Sequence, residues 1–512
     1  MSAPGAPAYV GLDLGTSGLK GVVVDPAGDV VAWARSDYPT TRASAGAAEQ
    51  DSADWLAAVV AVVAELALAS PTSTWRALGL SGMIPTLVLL DAQDRPVAPA
   101  ITWEDRRAQH EGARLARRVG QRRVYELTGQ RVDGRYLLSM AEHALATRPG
   151  LGERVARMVG AKDYLFGWMT GEWLTDPSTA TGYGCYGLDA GAWVEEIVER
   201  AELPAGARRW LPEIAPSATA RPLRADVASV LGLPTGLPVC LGGADSVLAL
   251  LGLGADSPGE VAYVSGTSTV VLAAASEPHR DRDARYLVTP LAGPGWGLEM
   301  DILSTGSAIG WLARQFGSAC DEAAVASMAA GVPFSDAPVF LPHLAPGEQG
   351  ALWDPELTGS LVGLTLRHTR ADLARGLLNG ILLESRRCLA VLDEVLTRRG
   401  TVHVSGALAS TRSFLADLAD VSSRTVVAAS SHGAGHSALG AASLASSAVD
   451  GVPLPAPTGP PPLVATPTAE RGASWALVGE RHDRVRAALS VRQDHEVAPE
   501  LASSRPGGED RG

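Results

Sequence analysis

The stretch from Tyr9 to Asp25, Tyr-Val-Gly-Leu-Asp-Leu-Gly-Thr-Ser-Gly-Leu-Lys-Gly-Val-Val-Val-Asp, constrains this chain more than any other. An apolar run, Tyr9 to Leu12, delivers one carboxylate, Asp13. A tight polar turn follows, Gly15-Thr16-Ser17-Gly18, and Lys20 leads into a second apolar run, Val22 to Val24. The pattern predicts a β-hairpin whose turn accepts a phosphate. Glycines let the backbone come close, and the N–H groups and hydroxyls of Thr16 and Ser17 donate hydrogen bonds. Asp13 would then hold a metal-bound water, and Lys20 would meet an anionic oxygen. Taken alone, the stretch reads equally well as an ordinary hairpin with a Gly-rich turn.

A related pattern returns at Glu260 to Leu272. An apolar run enters the turn Gly266-Thr267-Ser268 and another leaves it. The two turns lie about half a chain apart, and such a repeat predicts two similar domains facing each other across a cleft. Two such hairpins can grip one polyphosphate from opposite sides. At 512 residues the chain exceeds what one core usually supports, which also predicts two domains.

A formal charge of −13 argues against a nucleic-acid or anionic-membrane surface. No apolar run reaches the roughly 18 residues of a membrane span, and Glu65 interrupts the richest one, Leu56 to Leu68. Met1 to Ala8 has no basic start and no long apolar segment, so no secretory signal is expected. Cys185, Cys240, Cys320 and Cys388 lack paired spacing, so neither a zinc motif nor a disulfide framework is expected, and a reducing cytoplasm fits best. His432 and His436 sit four apart in a Gly/Ser-rich stretch and read as loop residues rather than ligands. Nearly every basic residue is Arg; the only lysines are Lys20 and Lys162, which makes a lysine beside the phosphate turn less incidental.

The fold class expected is α/β. Residues 9–35 read as paired strands, and Ser52 to Ala69 as a helix with Ser52 as N-cap. Ala77 to Leu80 and Leu87 to Asp91 read as short strands, and helices dominate 104–170. Pro238 to Gly243 reads as a buried strand ending in a loop that carries Asp245, with a small-residue helix from Val247 to Gly254. Residues 452–467 are proline-rich and read as an extended linker. A terminal helix is expected at 473–494 and a disordered tail at 495–512. Asp245 follows Gly242, Gly243 and Ala244, which leave room for a ligand. It is either a general base that takes a proton from an alcohol, or the N-cap of the next helix.

Together these pieces resemble the FGGY carbohydrate kinases, in their xylulokinase-like branch, from about Tyr9 to about Ala445. The matching stretches are 11–20, Glu49-Gln-Asp51 with Trp55, Trp103-Glu-Asp-Arg-Arg107, Lys162-Asp-Tyr-Leu165, Gly242-Gly-Ala-Asp245, Ser265-Gly-Thr-Ser268, Ser304 to Trp311 and Ala438-Leu-Gly-Ala-Ala442. The resemblance implies two actin-like domains of the ribonuclease-H type, 8–246 and 255–448, with ATP in the cleft. It implies Asp245 as catalytic base and Asp13 positioning Mg²⁺ through water. Gly15, Thr16, Ser17, Lys20, Gly266, Thr267, Ser268, Gly306, Gly406 and Ala407 would bind ATP and its phosphates. Met83, Ile84, Pro85, Trp103, Asp105 and Asp245 would meet a small sugar or polyol, most simply a ketopentose such as D-xylulose. It leaves room for a homodimer.

Three departures from the family pattern touch ligand surfaces. Xylulokinases carry Gln-Met-His-Gly where this chain has Met83-Ile84-Pro85-Thr86, so an imidazole gives way to a ring with no donor. The glycerol-kinase Arg-Glu pair is also missing, which disfavours glycerol. The Gly-Gly-Gly-Ala-x-Ser adenosine loop reads Gly406-Ala407-Leu408-Ala409-Ser410-Thr411, and side chains there would crowd the adenosine or change the donor. The Gly-Glu-Arg-x-Pro loop reads Gly347-Glu348-Gln349-Gly350-Ala351. A kinase of a tetritol or cyclitol, or a sensor that binds nucleotide or sugar with little turnover, would account for such changes.

Overall fold

In a computed structural model the chain is described over residues 6–345, 350–354, 357–429, 433–455 and 462–493. Two sheets dominate, and they share a plan. In the first, Ala8–Leu14, Gly18–Val24 and Val30–Asp37 form an antiparallel meander. Trp75–Gly82 pairs parallel to Ala8–Leu14, Pro238–Ala244 parallel to Trp75–Gly82, and Ala220–Pro222 closes the edge. In the second sheet, Val261–Ser265, Thr269–Ala275 and Trp296–Ile302 repeat the meander. Val402–Gly406 and Val426–Ala428 repeat the parallel pair. Leu287–Pro290 and Leu463–Ala465 add the edges.

The near-continuous apolar runs explain the strands, since these strands carry helices on their faces and are buried nearly throughout. Helix Ser52–Ala69 packs Trp55, Val59, Val62, Val63 and Leu66 into the first core, together with Val10, Leu12 and Leu14. It is also the one described helix long and apolar enough to cross a membrane. Its N-cap is Asp51, whose carboxylate accepts from the Ala53 N–H at 2.9 Å; this corrects the expectation of Ser52, which lies inside the first turn.

Helix His436–Asp450 crosses the strands Ala8–Leu14 and Trp75–Gly82 at unusually close range. A Cβ on Gly11 would fall 1.9 Å from the Ala438 carbonyl oxygen, and one on Gly79 would fall 2.0 Å from that of Ala441. The small residues of Ala438 to Ala442 are the other half of that contact. This helix therefore ties the last part of the second domain to the sheet that carries Asp13.

The proline-rich segment is more than a linker. Leu463–Ala465 pairs with Val426–Ala428 and extends the second sheet. The terminal helix starts earlier than expected and spans Ala469–Gln493. Its Trp475 is fully buried and stacks on Phe334, with ring centroids 4.3 Å apart and planes within 4°. The Trp475 Nε1–H finds no acceptor among the described residues. A buried unpaired donor costs about 1–3 kcal/mol, which offsets the packing lost on shrinking the ring. Trp475→Phe should therefore change unfolding free energy by no more than about 1 kcal/mol, read from urea denaturation. The expected tail at 495–512 lies outside the described residues.

Candidate active site

Three parallel strands bring their carboxyl ends together in the first domain. Asp13 is in register with Ser81, and Ser81 with Gly243, two residues before Asp245. Clefts at the carboxyl ends of parallel strands are where α/β proteins place ligands. Asp13 is buried and accepts a hydrogen bond from Ser81 Oγ at 2.7 Å through Oδ1; Oδ2 accepts none among the described residues. Burial raises its pKa, against the Ser81 bond and the Lys20 charge. A carboxylate with one oxygen engaged, the other uncommitted and its charge poorly solvated suits a water bound to a hard cation.

The first turn is tightly supported. Gly15 N donates to Gly18 O at 3.1 Å. Tyr38 Oη donates to Gly15 O at 2.5 Å and Gln50 Nε2 to Thr16 O at 2.8 Å. Trp55 Nε1 donates to Gln50 Oε1 at 2.9 Å, so the buried helix fixes the amide that fixes the turn. The second turn mirrors the first: Gly266 N donates to Ser268 O at 2.8 Å, and Gly306 N, opening helix Gly306–Phe316, to Gly266 O at 3.1 Å. The N–H groups of Thr16, Ser17, Thr267 and Ser268 donate to no acceptor among the described residues. They are the donors a phosphate would use.

Asp245 is the first residue of helix Asp245–Gly252. This corrects both the loop placement and the capping alternative, because the N-cap is Ala244 and Asp245 Oδ1 accepts only from the next N–H, Ser246, at 2.9 Å. Gly242 makes the approach possible. Its φ is +77° and a Cβ there would lie 1.5 Å from Leu80 O, so only glycine fits. Burial first, then the charges of Asp13 and Asp301, push the Asp245 carboxyl up to about 7.

Below this strand lies a polar brace that the sequence did not announce. Lys162 is fully buried and its Nζ sits 2.8 Å from Asp163 Oδ1, 3.3 Å from Asp176 Oδ1 and 3.0 Å from Leu241 O. Ser178 Oγ donates to Asp176 Oδ2 at 2.5 Å and accepts from Ala244 N at 2.9 Å. The brace thus ends one residue from Asp245.

A cavity of about 90 Å³ is walled by Ile84, Pro85, Trp103 and Thr181 from one half and Ser268, Glu299 and Asp301 from the other; Asp245 does not line it, but the next residue, Ser246, donates to Glu299 at 3.0 Å. Trp103 Nε1 donates to Thr16 Oγ1 at 2.9 Å, linking this wall to the first turn. Two expected substrate contacts are corrected. Met83 is 1% exposed and packs into the first core. Asp105 does not line the cavity; its carboxylate is consumed by Ala48 N at 2.8 Å and by Arg107, which also reaches Glu49 Oε1 at 2.5 Å. These bonds close the sequence's Glu49 and Trp103-to-Arg107 motifs onto each other as a brace.

Gly406 faces Ser265 in register, with φ +87° and room for no Cβ, which would sit 1.7 Å from Ser265 O. Gly406 and Ala407 are exposed. Leu408 turns inward instead, is 5% exposed and belongs to the core. His436, expected in a loop, begins helix His436–Asp450; burial and the Lys20 charge lower it to about 4. His432 and Gly347 to Gln349 lie outside the described residues.

Sequence models of the N-terminal and C-terminal domains of the FGGY family of carbohydrate kinases match residues 8–252 and 261–449. The chain belongs to that family. This FGGY kinase is 26% identical to a gluconokinase of Bacillus subtilis over 436 residues, covering 83% of this chain and 84% of the relative. It is 29% identical to a xylulose kinase of Lactococcus lactis over 397 residues, covering 76% and 78%. The crystal structure of xylulose kinase from Rhodospirillum rubrum superposes with a TM-score of 0.83 at 27% identity, over 94% of this chain and 99% of that one. The FGGY kinase thus has the two-domain actin-like fold and is a sugar kinase.

Proposed function

We propose that the chain transfers the terminal phosphate of ATP to a hydroxyl of a small sugar or polyol, with a ketopentose such as D-xylulose as first candidate. The observation that carries this reading is Asp245: a carboxyl held near neutrality by burial and by the charges of Asp13 and Asp301, the first beside one turn with unused N–H donors and the second in the wall of the cavity. A group with that affinity for protons takes the proton from the acceptor hydroxyl as its oxygen attacks the phosphate. Thr16, Ser17, Thr267 and Ser268 hold the phosphate oxygens through their N–H groups, and Lys20 offsets charge on the same side. Mg²⁺, carried with ATP and held by Asp13 through water, would supply further neutralisation of phosphate charge. Gly406 and Ala407 would lie against the nucleoside.

The xylulose kinase relatives support a ketopentose. A tetritol or cyclitol is the second reading, and the wall formed by Ile84 and Pro85 favours it, because neither side chain bonds a hydroxyl. A screen of ADP release over pentuloses, tetritols, pentitols and cyclitols tests both. Acceptor-dependent release with D-xylulose fastest is the expected result. ATP binding without release on any acceptor would sink the kinase reading in favour of a sensor.

A further inference from the structure

The wall given by the second domain is not needed for phosphate chemistry. Glu299 and Asp301 lie two residues apart on Trp296–Ile302, so both side chains leave one face of the strand, and both line the cavity. Asp245 stands beside them, close enough that its charge raises Glu299 and that Asp301 raises Asp245. Two carboxylates therefore wall one small space, and the charge of a third, Asp245, reaches them from just outside its lining. The one guanidinium in the wall, Arg135, bonds Asp133, with Nε–Oδ2 3.1 Å and Nη2–Oδ2 2.7 Å, and its charge offsets part of that of Asp301. Neither lysine lines the cavity. Gln130 is also committed, donating to Val288 O at 2.8 Å and accepting from Tyr136 Oη at 3.0 Å.

Burial, and for Glu299 also the charge of Asp301, raises both carboxyls, Glu299 to about 8 and Asp301 to about 6, so near neutrality the pair keeps a proton and an acceptor meets oxygens with few donors. Glu299 Oε2 receives one bond, from Ser246 Oγ at 3.0 Å, and Asp301 receives none among the described residues. A sugar hydroxyl supplies what these oxygens lack, in a charge-assisted hydrogen bond. A sugar acid brings a further negative charge into a partly desolvated cluster that already strains against its own.

We propose that Glu299 and Asp301 select the phosphoryl acceptor, accepting hydrogen bonds from hydroxyls of an uncharged ketose or polyol and excluding sugar acids. The inference rests on the cavity being the acceptor site of the kinase reading. It places this chain with kinases of uncharged acceptors rather than of aldonates, on residues outside the short stretches that carry the family resemblance in the sequence.

The test is a panel of D-xylulose, xylitol and erythritol against D-gluconate and D-xylonate, read by ADP release with Mg-ATP and by thermal shift without nucleotide. Turnover and thermal stabilisation should be confined to uncharged compounds. Glu299→Gln and Asp301→Asn should each raise KM for the best uncharged acceptor by about 10-fold or more, with kcat changed less, and should narrow the discrimination against gluconate. Gluconate stabilising or turning over in the wild-type protein as well as the best uncharged compound would overturn the proposal. So would variants of unchanged melting temperature whose KM and preference equal those of the wild type. Uncharged compounds that bind selectively, with no ADP released from any, would uphold the selection and defeat the kinase reading.

Discussion

Asp245→Asn is expected to lower kcat by about 10²–10⁴-fold, the usual worth of a positioned general base, with acceptor KM nearly unchanged. The amide keeps the shape of the carboxyl and can still accept from the Ser246 N–H, but it cannot take a proton. The wild-type rate should rise with pH through about 7, where the Asp245 carboxyl loses its proton, and the asparagine variant should lose that limb. The stability effect has the opposite sign. A carboxyl whose folded pKa is raised above its ordinary value stabilises the fold while protonated, and that contribution is lost as pH rises through the folded pKa. Above pH 7 the native carboxylate is therefore a burden, and Asp245→Asn should melt no lower than wild type at pH 8, and by this argument higher. A variant that is both inactive and markedly less stable would place Asp245 in the scaffold instead of the chemistry. Calorimetry and a coupled assay on the same preparation separate the two.

The two hairpins were legible because each compresses its signal into a dozen adjacent residues: apolar run, Gly-Thr-Ser turn, apolar run. Asp245 was legible for a related reason, since the small residues before it announce a close backbone approach. The acidic wall was not. Glu299 and Asp301 alternate with buried Leu298, Met300 and Ile302, which in sequence is the signature of any strand with one wet face. Only the meeting of two domains turns that wet face into a cavity. Asp105 misled for the converse reason. Trp-Glu-Asp-Arg-Arg advertises a carboxylate near the acceptor, but Arg107 folds back onto it and consumes it. Leu463–Ala465 was hidden by flanking prolines, although a three-residue edge strand needs a donor row on one side only. Leu408 departs from the glycine of related loops, and its side chain faces the core, which its position in the sequence did not show.

The second large effect concerns Lys162, which the sequence marked as one of two lysines in an Arg-rich chain and as the start of the Lys162-Asp-Tyr-Leu165 stretch, without a role. Its ammonium lies between Asp163 and Asp176, all three with fully buried side chains. Burial alone would lower the lysine pKa, but the charges of Asp163 and Asp176 outweigh it and the net shift is upward, so the group stays protonated. Lys162→Met keeps most of the volume and removes the cation, leaving two carboxylates buried side by side. Breaking such a cluster from one side costs about 3–5 kcal/mol, far more than an exposed ion pair returns. The cost should appear in urea denaturation at neutral pH. It should shrink as pH falls, because the stranded carboxylates can then take up protons. Adding Asp176→Asn to Lys162→Met should recover part of the loss, the result that separates an unpaired charge from a packing defect. The same variant should also slow turnover, because Lys162 Nζ holds Leu241 O, and Asp176 reaches Ala244 N through Ser178. Losing the first contact, and the cation that holds Asp176 for the second, loosens the strand end that presents Asp245. A loss below about 1 kcal/mol with unchanged kcat would mean that the strand end needs no such support.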